Sequence, residues 1–461
     1  MEIVTVINGS PKGRKSITLK FAEYLQKKNP QIEFRFFHVA QDIRNYSKGK
    51  DAWQPLLESI GESLGIVWAF PVYIFQAPAS LMRFVELIGE YQLQETFRGR
   101  YCCAVSTSIH FYDNLAHDQF RGVLEDLGMR YTDYFAADQR DFFNPAYRQS
   151  LETFFADFVS AGREQKPVFR KFEPVRFQKA DYVPGPVRTR IPLEGLKVAI
   201  VADDAAPDTN IGPMVQRLSG AFEGQVDVVE LSRLNIRGGC LGCMKCALDH
   251  ECTYGEKDDI KRVYETVLDM ADVLIYAGPL RQRYFSSAMK RFVERRFMRT
   301  HYPFMKGKQV ALMVSGPLRQ CSTLYDTFEA DAQVSEAHFA GAVSDEYATS
   351  AQIDTAIDAL AARLVSLARK HYLPPDSFLG VAGRKLFRDE VWGRYRYIFQ
   401  ADHRYYKKSG FYDFPQKDWK MRLFNAYFML RLSIPKFRRQ ARNTMAGFMV
   451  KPFMDELEKM K

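Results

Sequence analysis

Pro71-Val72-Tyr73 is followed, twelve residues after its proline, by Arg83-Phe84-Val85-Glu86. Pro279-Leu280-Arg281 is followed at the same distance by Arg291-Phe292-Val293-Glu294, and the two pairs lie 208 residues apart. A third match keeps that offset: Arg98-Gly99-Arg100 against Lys306-Gly307-Lys308. Three matches at one spacing mark an internal duplication, which a single tetrapeptide would not. Around them, short apolar runs alternate with helical patterns. Strands are expected at Ile3–Ile7, Glu33–His38, Leu64–Phe70 and Tyr101–Ser106, and in the second copy at Lys197–Ala202, Gln225–Leu231, Asp272–Ala277 and Gln309–Ser315. Helices are expected near Ser16–Gln26, Ala79–Tyr91 and Asp118–Leu127, then near Ile211–Phe222, Asp258–Met270 and Ser286–Phe297. Alternating β and α elements imply a parallel sheet with helices on both faces, which binds ligands at the carboxyl ends of its strands.

The first strands align at an offset near 195, the later elements at 208, so the second copy has gained about thirteen residues. Within that interval lie Cys240-Leu-Gly-Cys243-Met-Lys-Cys246 and, six residues on, Cys252. These are four of the chain's seven cysteines. Thiolates this close together suit a soft metal, iron–sulfur before zinc. Chance buried cysteines would not arrive in such even steps.

The first strand of copy one runs into Asn8-Gly9-Ser10-Pro11-Lys12-Gly13-Arg14-Lys15-Ser16-Ile17-Thr18. Glycines for a tight turn, hydroxyls, three cations and the N–H groups of the next helix make a phosphate cradle. An ordinary Gly/Pro turn is the plainer alternative.

Gly9-Ser10-Pro11 with Ser16 and Thr18, plus Phe70-Pro71-Val72-Tyr73, resembles the NADPH-dependent FMN reductases of the flavodoxin-like superfamily. The second copy resembles the iron–sulfur flavoproteins of that group, on Cys240, Cys243, Cys246 and Cys252 and the following Asp258-Asp259. Together the resemblances cover roughly residues 1–370. They imply FMN held by Gly9, Ser10, Pro11, Lys12, Ser16, Ile17 and Thr18, with Pro71, Val72, Tyr73 and Ile74 along the isoalloxazine and Ser106, Thr107 and Ser108 at a third ligand-facing loop. They imply a [4Fe–4S] cluster on the four cysteines, and NAD(P)H as a substrate stacked on the flavin. His110 and Tyr112 are the candidates for lining the flavin or donating a proton, a structural role being equally open. Where copy one has its phosphate loop, copy two has Asp203-Asp204-Ala-Ala-Pro-Asp208, which disfavours a phosphate. One flavin and one cluster per chain are expected; a second FMN held by Thr209 and Asn210 is the alternative. Cys102, Cys103 and Cys321 read as core residues.

The net charge of +10 belongs to the end of the chain: residues 376–461 hold 19 Lys and Arg against 9 Asp and Glu, and the first 375 residues balance. This stretch is also rich in aromatics, and Leu423–Ile434 reads as an amphipathic helix with a basic edge. A helical extension capping the cofactor cleft is the first reading. Docking to a membrane surface or an acidic protein is the second, and no nucleic-acid motif is present. No run of eighteen apolar residues spans a membrane. Met1-Glu-Ile-Val-Thr-Val-Ile enters a strand with no basic leader, so a cytoplasmic location is expected, with peripheral membrane attachment as its variant.

The expected fold is thus α/β: two tandem flavodoxin-like doubly wound parallel-sheet domains plus a basic, mainly helical C-terminal extension. Its divisions are 1–165, a linker at 166–195, 196–372 with the cysteine loop, and 373–461. The two copies are expected to pair within the chain as a pseudo-dimer, with homo-oligomers open, bringing Tyr73 and the 106–114 loop toward the cysteines. The expected function is an oxidoreductase passing electrons between FMN and the cluster, linking a two-electron partner, NAD(P)H or quinone-like, with a one-electron, ferredoxin-like one in either direction. The competing readings are a quinone or FMN reductase with a structural metal, and a non-enzymatic electron carrier or redox sensor.

Overall fold

The computed structural model describes residues 1–203, 209–346 and 349–460. In the first copy the chain runs β1 (Glu2–Asn8), α1 (Ile17–Lys28), β2 (Ile32–Phe37), α2 (Gln54–Glu62), β3 (Gly65–Pro71), α3 (Ala79–Glu90), β4 (Tyr101–Thr107), α4 (Asp113–Asp126), β5 (Arg130–Ala137) and α5 (Pro145–Glu164). The central strands are continuous apolar runs because helices cover both of their faces. All five are parallel in the order β2-β1-β3-β4-β5, the flavodoxin order. Register places Asn8 beside Ala69 and Pro71 beside Thr107, so the ends of β1, β3 and β4 open onto one edge.

The second copy repeats the plan with β6 (Val198–Ala202), α6 (Ile211–Gly220), β7 (Val226–Glu230), β8 (Val273–Arg281), β9 (Tyr284–Phe285), α7 (Ser287–Glu294), β10 (Gln309–Ser315), α8 (Ser322–Val334), β11 (His338–Ser344) and α9 (Ser350–Arg369). Its parallel order β7-β6-β8-β10-β11 is the same topology. The helix expected over Asp258–Met270 is shorter, one α turn at Ile260–Val263 leading into a π turn at Tyr264–Leu268.

The 208-residue offset survives in the backbone. Ile74 and Phe75 have positive φ of 45° and 64°, and their counterparts Gln282 and Arg283 have 47° and 61°. Each pair turns a small antiparallel bridge, Tyr73 with Gln76 and Arg281 with Tyr284.

The copies meet through α3 and α7, and the contact is reciprocal. Glu86 accepts from the N–H of Ser287 at 2.6 Å, and Glu294 accepts from the N–H of Ala79 at 2.9 Å. Each carboxylate thus caps the partner helix at a position where N–H groups lack intrahelical acceptors. Residue i meeting j while j's counterpart meets i's is the mark of two-fold pairing.

One compact unit carries both sheets and continues to His403, and residues 404–461 form another. Within the first unit, α10 (Phe378–Glu390) packs on α8. The second unit holds α11 (Trp419–Ser433) and α12 (Pro435–Lys459). In α11 apolar residues surround the whole helix rather than one face, so the expected amphipathic helix is a helix without an apolar stripe. Among the described residues, no helix is long and apolar enough to cross a membrane.

Candidate functional site

At the end of β1 the chain turns tightly. The N–H of Gly9 donates to the carbonyl of Ala69 at 2.8 Å, and a Cβ at Gly9 would sit 2.4 Å from Leu81. The Ser10 N–H donates to Asn8 Oδ1 at 3.1 Å, and Gly13 completes the turn at φ 54°. Ser10, Ser16 and Thr18 are buried, and Thr18 Oγ1 lies 2.5 Å from Thr107 Oγ1. Ser16 stands before α1 without its side chain capping the helix, leaving first-turn N–H groups for an anion. Lys12 adds a cation whose pKa is lowered, burial outweighing the thiols of Cys240 and Cys243.

Beside this loop lies a cavity of about 330 Å³, the size of a small-ligand site. Lys12, Ile17, Val72, Ile74, Thr107 and Ser108 line it, all expected from the sequence. Ser106 is not among the lining residues: its hydroxyl lies 2.8 Å from Nε2 of the buried His117. Pro71 ends β3. His110 is exposed and bonded to Asp113, which, with its aspartate neighbours, raises its pKa against the effect of burial. Tyr112 donates to the carbonyl of Leu379 beneath Phe75 and Phe111, and burial pushes its phenol up to about 12. Neither is directed into the cavity.

Opposite these loops of the first copy, the cavity is walled by the second copy and the extension: Met244, Phe297, His301, Phe387, Tyr395 and Phe399. His301 packs against Phe387 with ring centroids 3.8 Å apart and its Nδ1 is 3.0 Å from Asp402 Oδ2. Asp402 is fully buried and also accepts from Thr300 Oγ1 at 2.6 Å. Burial would raise its carboxyl, but His301 and the hydrogen bonds from His250, His301 and Thr300 hold it well below the usual carboxylate range. These residues carried no motif. The one available signal was the difference between copies, since the position 208 residues before His301 is Leu93.

The cysteine loop reaches this site from the second copy. Gly242, at φ 61°, lies between Cys240 and Cys243, and a Cβ there would come 1.9 Å from Tyr73 Oη and 2.8 Å from Lys12 Cε. Glu294, which caps α3, also accepts from the N–H of Cys240 at 2.8 Å. The expected acidic pair ties the loop's base: Asp258 binds Arg295 at 2.7 and 3.2 Å, and Asp259 accepts from the Asn235 N–H at 2.8 Å. Sulfurs already receive donors, Cys240 Sγ from the Gly242 N–H at 3.4 Å and Cys252 Sγ from Arg295 at 3.7 Å. All four cysteines are free thiols; burial, with Cys252 and Cys243 nearby, pushes Cys246 up to about 12. Among the described residues, no three His, Cys, Asp or Glu side chains converge as they would on a single ion. Four thiols within thirteen residues, two of their sulfurs with N–H donors, are the donor set that a thiolate-held cluster would use.

The described residues at the same edge of the second copy are bonded differently. Asp203 takes the place of Gly9, its N–H donating to Ala277 at 2.8 Å, and it accepts from Ser286 Oγ. Asn210, before α6, donates to Ala180 of the linker at 2.8 Å and to Asp345 at 2.7 Å, and accepts from the Tyr182 N–H at 3.2 Å. Asp204 and Asp208 lie outside the described residues.

Comparison with known proteins agrees with the duplication. The NADPH-dependent FMN reductase family matches at residues 1–140 and again at 196–344, well over half of the chain. No curated protein sequence matches. Among solved structures, the flavoenzyme NAD(P)H:(acceptor) oxidoreductase FerB from Paracoccus denitrificans is 18% identical, over 36% of this chain and 98% of its own, with a TM-score of 0.30. An NADH:FMN oxidoreductase, EMOB, is 21% identical over 35% and 90%, with a TM-score of 0.31. The general stress protein 14 of Treponema denticola, in complex with FMN, is 15% identical over 36% and 100%, with a TM-score of 0.27. The chain belongs to the NADPH-dependent FMN reductase family, in two tandem copies. It is an FMN-dependent oxidoreductase of the NAD(P)H-using kind.

Proposed function

We propose that this chain is an iron–sulfur flavoprotein. In this reading one FMN sits on the first copy and one [4Fe–4S] cluster on Cys240, Cys243, Cys246 and Cys252 of the second. The observation that carries it is the contact of Gly242 with Tyr73 and Lys12, which puts the cysteine loop of one copy on the flavin loops of the other. FMN exchanges electrons in pairs or singly and a cluster carries one at a time, so the two together connect a two-electron partner, NAD(P)H or quinone-like, with a one-electron, ferredoxin-like partner.

The residues divide the work. Lys12 and the N-terminus of α1 neutralise a phosphate, while Val72, Ile74 and Thr107 form the wall beside it. The Gly242 N–H and Arg295 stabilise negative charge on sulfur. Phe387, Tyr395 and Phe399 exclude water from the far half of the cavity. His301, its Nδ1 held by Asp402, is one of the polar side chains lining that half and is our candidate to give a proton to a bound acceptor. Cys243 is exposed between Leu241 and Met244, which offers a one-electron partner a short approach.

Anaerobic purification followed by iron, sulfide and flavin analysis tests the reading. About four iron atoms and one FMN per chain are expected, with flavin bands over a broad absorption that bleaches on reduction. Protein that takes up only zinc, or no metal, overturns it.

A further inference from the structure

Tyr73 is held through its carbonyl and its ring. Its carbonyl accepts from the ammonium of Lys290, and its ring meets Phe297 edge-on at 6.0 Å. The carbonyl of Phe297 in turn accepts from Cys246 Sγ at 3.1 Å. Tyr73 is only 8% exposed, and its hydroxyl is buried with no hydrogen-bond partner among the described residues. That hydroxyl faces Gly242, where any side chain would collide with it. A buried phenol O–H without an acceptor costs about 1–3 kcal/mol, so a group held this firmly in that state calls for one.

We infer that the Tyr73 hydroxyl, carried by the first copy, donates a hydrogen bond to a sulfur on the Cys240–Cys243 side of the four-cysteine cluster of the second. This rests on the cluster reading above and adds to it a residue from the opposite copy. Tyr73 is then a positioning residue that couples the two halves. Its main chain belongs to the loop along the flavin cavity and its hydroxyl to the metal loop. It also accounts for Gly242: glycine is needed there for its left-handed backbone and for the room the phenol takes. A hydrogen bond to cluster sulfur favours the reduced, more negative state and raises the reduction potential.

The test is Tyr73→Phe in the full-length protein, reconstituted anaerobically with iron, sulfide and FMN. Iron and flavin contents equal to the wild type are expected, with the cluster potential moved to a more negative value. An exchangeable proton coupled to the reduced cluster, seen by electron–nuclear double resonance in the wild type, should be missing. Tyr73→His keeps a donor and should return the potential toward the wild-type value; it also serves if the phenylalanine variant does not fold. An unchanged cluster potential and unchanged proton coupling in a fully loaded Tyr73→Phe protein overturn the assignment while leaving the cluster in place. A shift confined to the flavin overturns it too, because the acceptor is then the flavin. Wild-type protein that takes up no iron removes the cluster reading and this one with it.

Discussion

Gly9 and Asp203 hold the same place in the two copies, each N–H reaching the carbonyl of an alanine one strand over at 2.8 Å. Seven residues later in each, Ser16 and Asn210 precede the first helix of their copy. Around the first pair are Lys12, hydroxyls and an uncapped helix N-terminus. Around the second are the buried carboxylates of Asp203 and Asp345, with the linker at Ala180 and Tyr182 bonded across them. The backbone frame is shared because the sheet needs it, whereas the side chains that make an anion welcome are not part of that need. Duplication preserved the scaffold and left each sheet edge free to specialise.

The sharpest way to break the contrast is to remove what each copy alone is expected to hold. Cys243→Ser should lose nearly all cluster iron and keep about one FMN per chain, measured by metal analysis and flavin release. Loss of both would show that the copies do not divide the cofactors. Lys12→Glu gives the first edge the charge of the second and should weaken FMN binding at least about tenfold, or about 1.4 kcal/mol, by fluorescence titration of the flavin-free protein.

The reciprocal caps offer a graded comparison. Glu294 lies 3.8 Å from Lys290 with both side chains buried, and it holds Ala79 and Cys240 together. Glu294→Gln should destabilise by about 3–5 kcal/mol in urea unfolding, since it leaves a buried ammonium with carbonyl partners but no counter-charge. Glu86→Gln, in the less deeply buried half of the same clamp, should cost about 1 kcal/mol.

His117 sharpens the comparison through pH, because the copy-two position 208 residues later is Tyr325. Burial holds its pKa down at about 4. It stays neutral in the fold, while the unfolded chain takes up a proton below about pH 6.5. Its contribution is therefore complete above about pH 6.5 and is lost as the pH falls toward 4, by about 3 kcal/mol in all. His117→Gln should flatten that slope in denaturation curves recorded from pH 7 to 4.

The sequence disclosed the central strands and their helices because buried parallel strands are unbroken apolar runs. The last strand of each copy was harder to see. Arg130–Ala137 is half exposed and mixes polar with aromatic residues, and His338–Ser344 is built from small residues around Gly341 at φ 128°. The glycine turn after β1, the Tyr73 loop and the cysteine loop were legible as loops because close spacing in the chain forces closeness in space. The His301–Asp402 pair was not, since its members are 101 residues apart and meet only when the extension folds onto the second copy. Ser106 was assigned to the site from its place at a strand end, but strand alternation turns it inward to His117.

The α3–α7 clamp has a consequence for how this molecule behaves on dilution. Two separate chains joined by such a face would come apart as their concentration fell, and a site shared between them would come apart too. Here a linker of about thirty residues makes the encounter intramolecular, with an effective concentration in the millimolar range or above for a flexible tether. The shared cavity thus persists at any protein concentration, and each chain always contains one of each half. Identical partners cannot guarantee that ratio once their halves begin to differ.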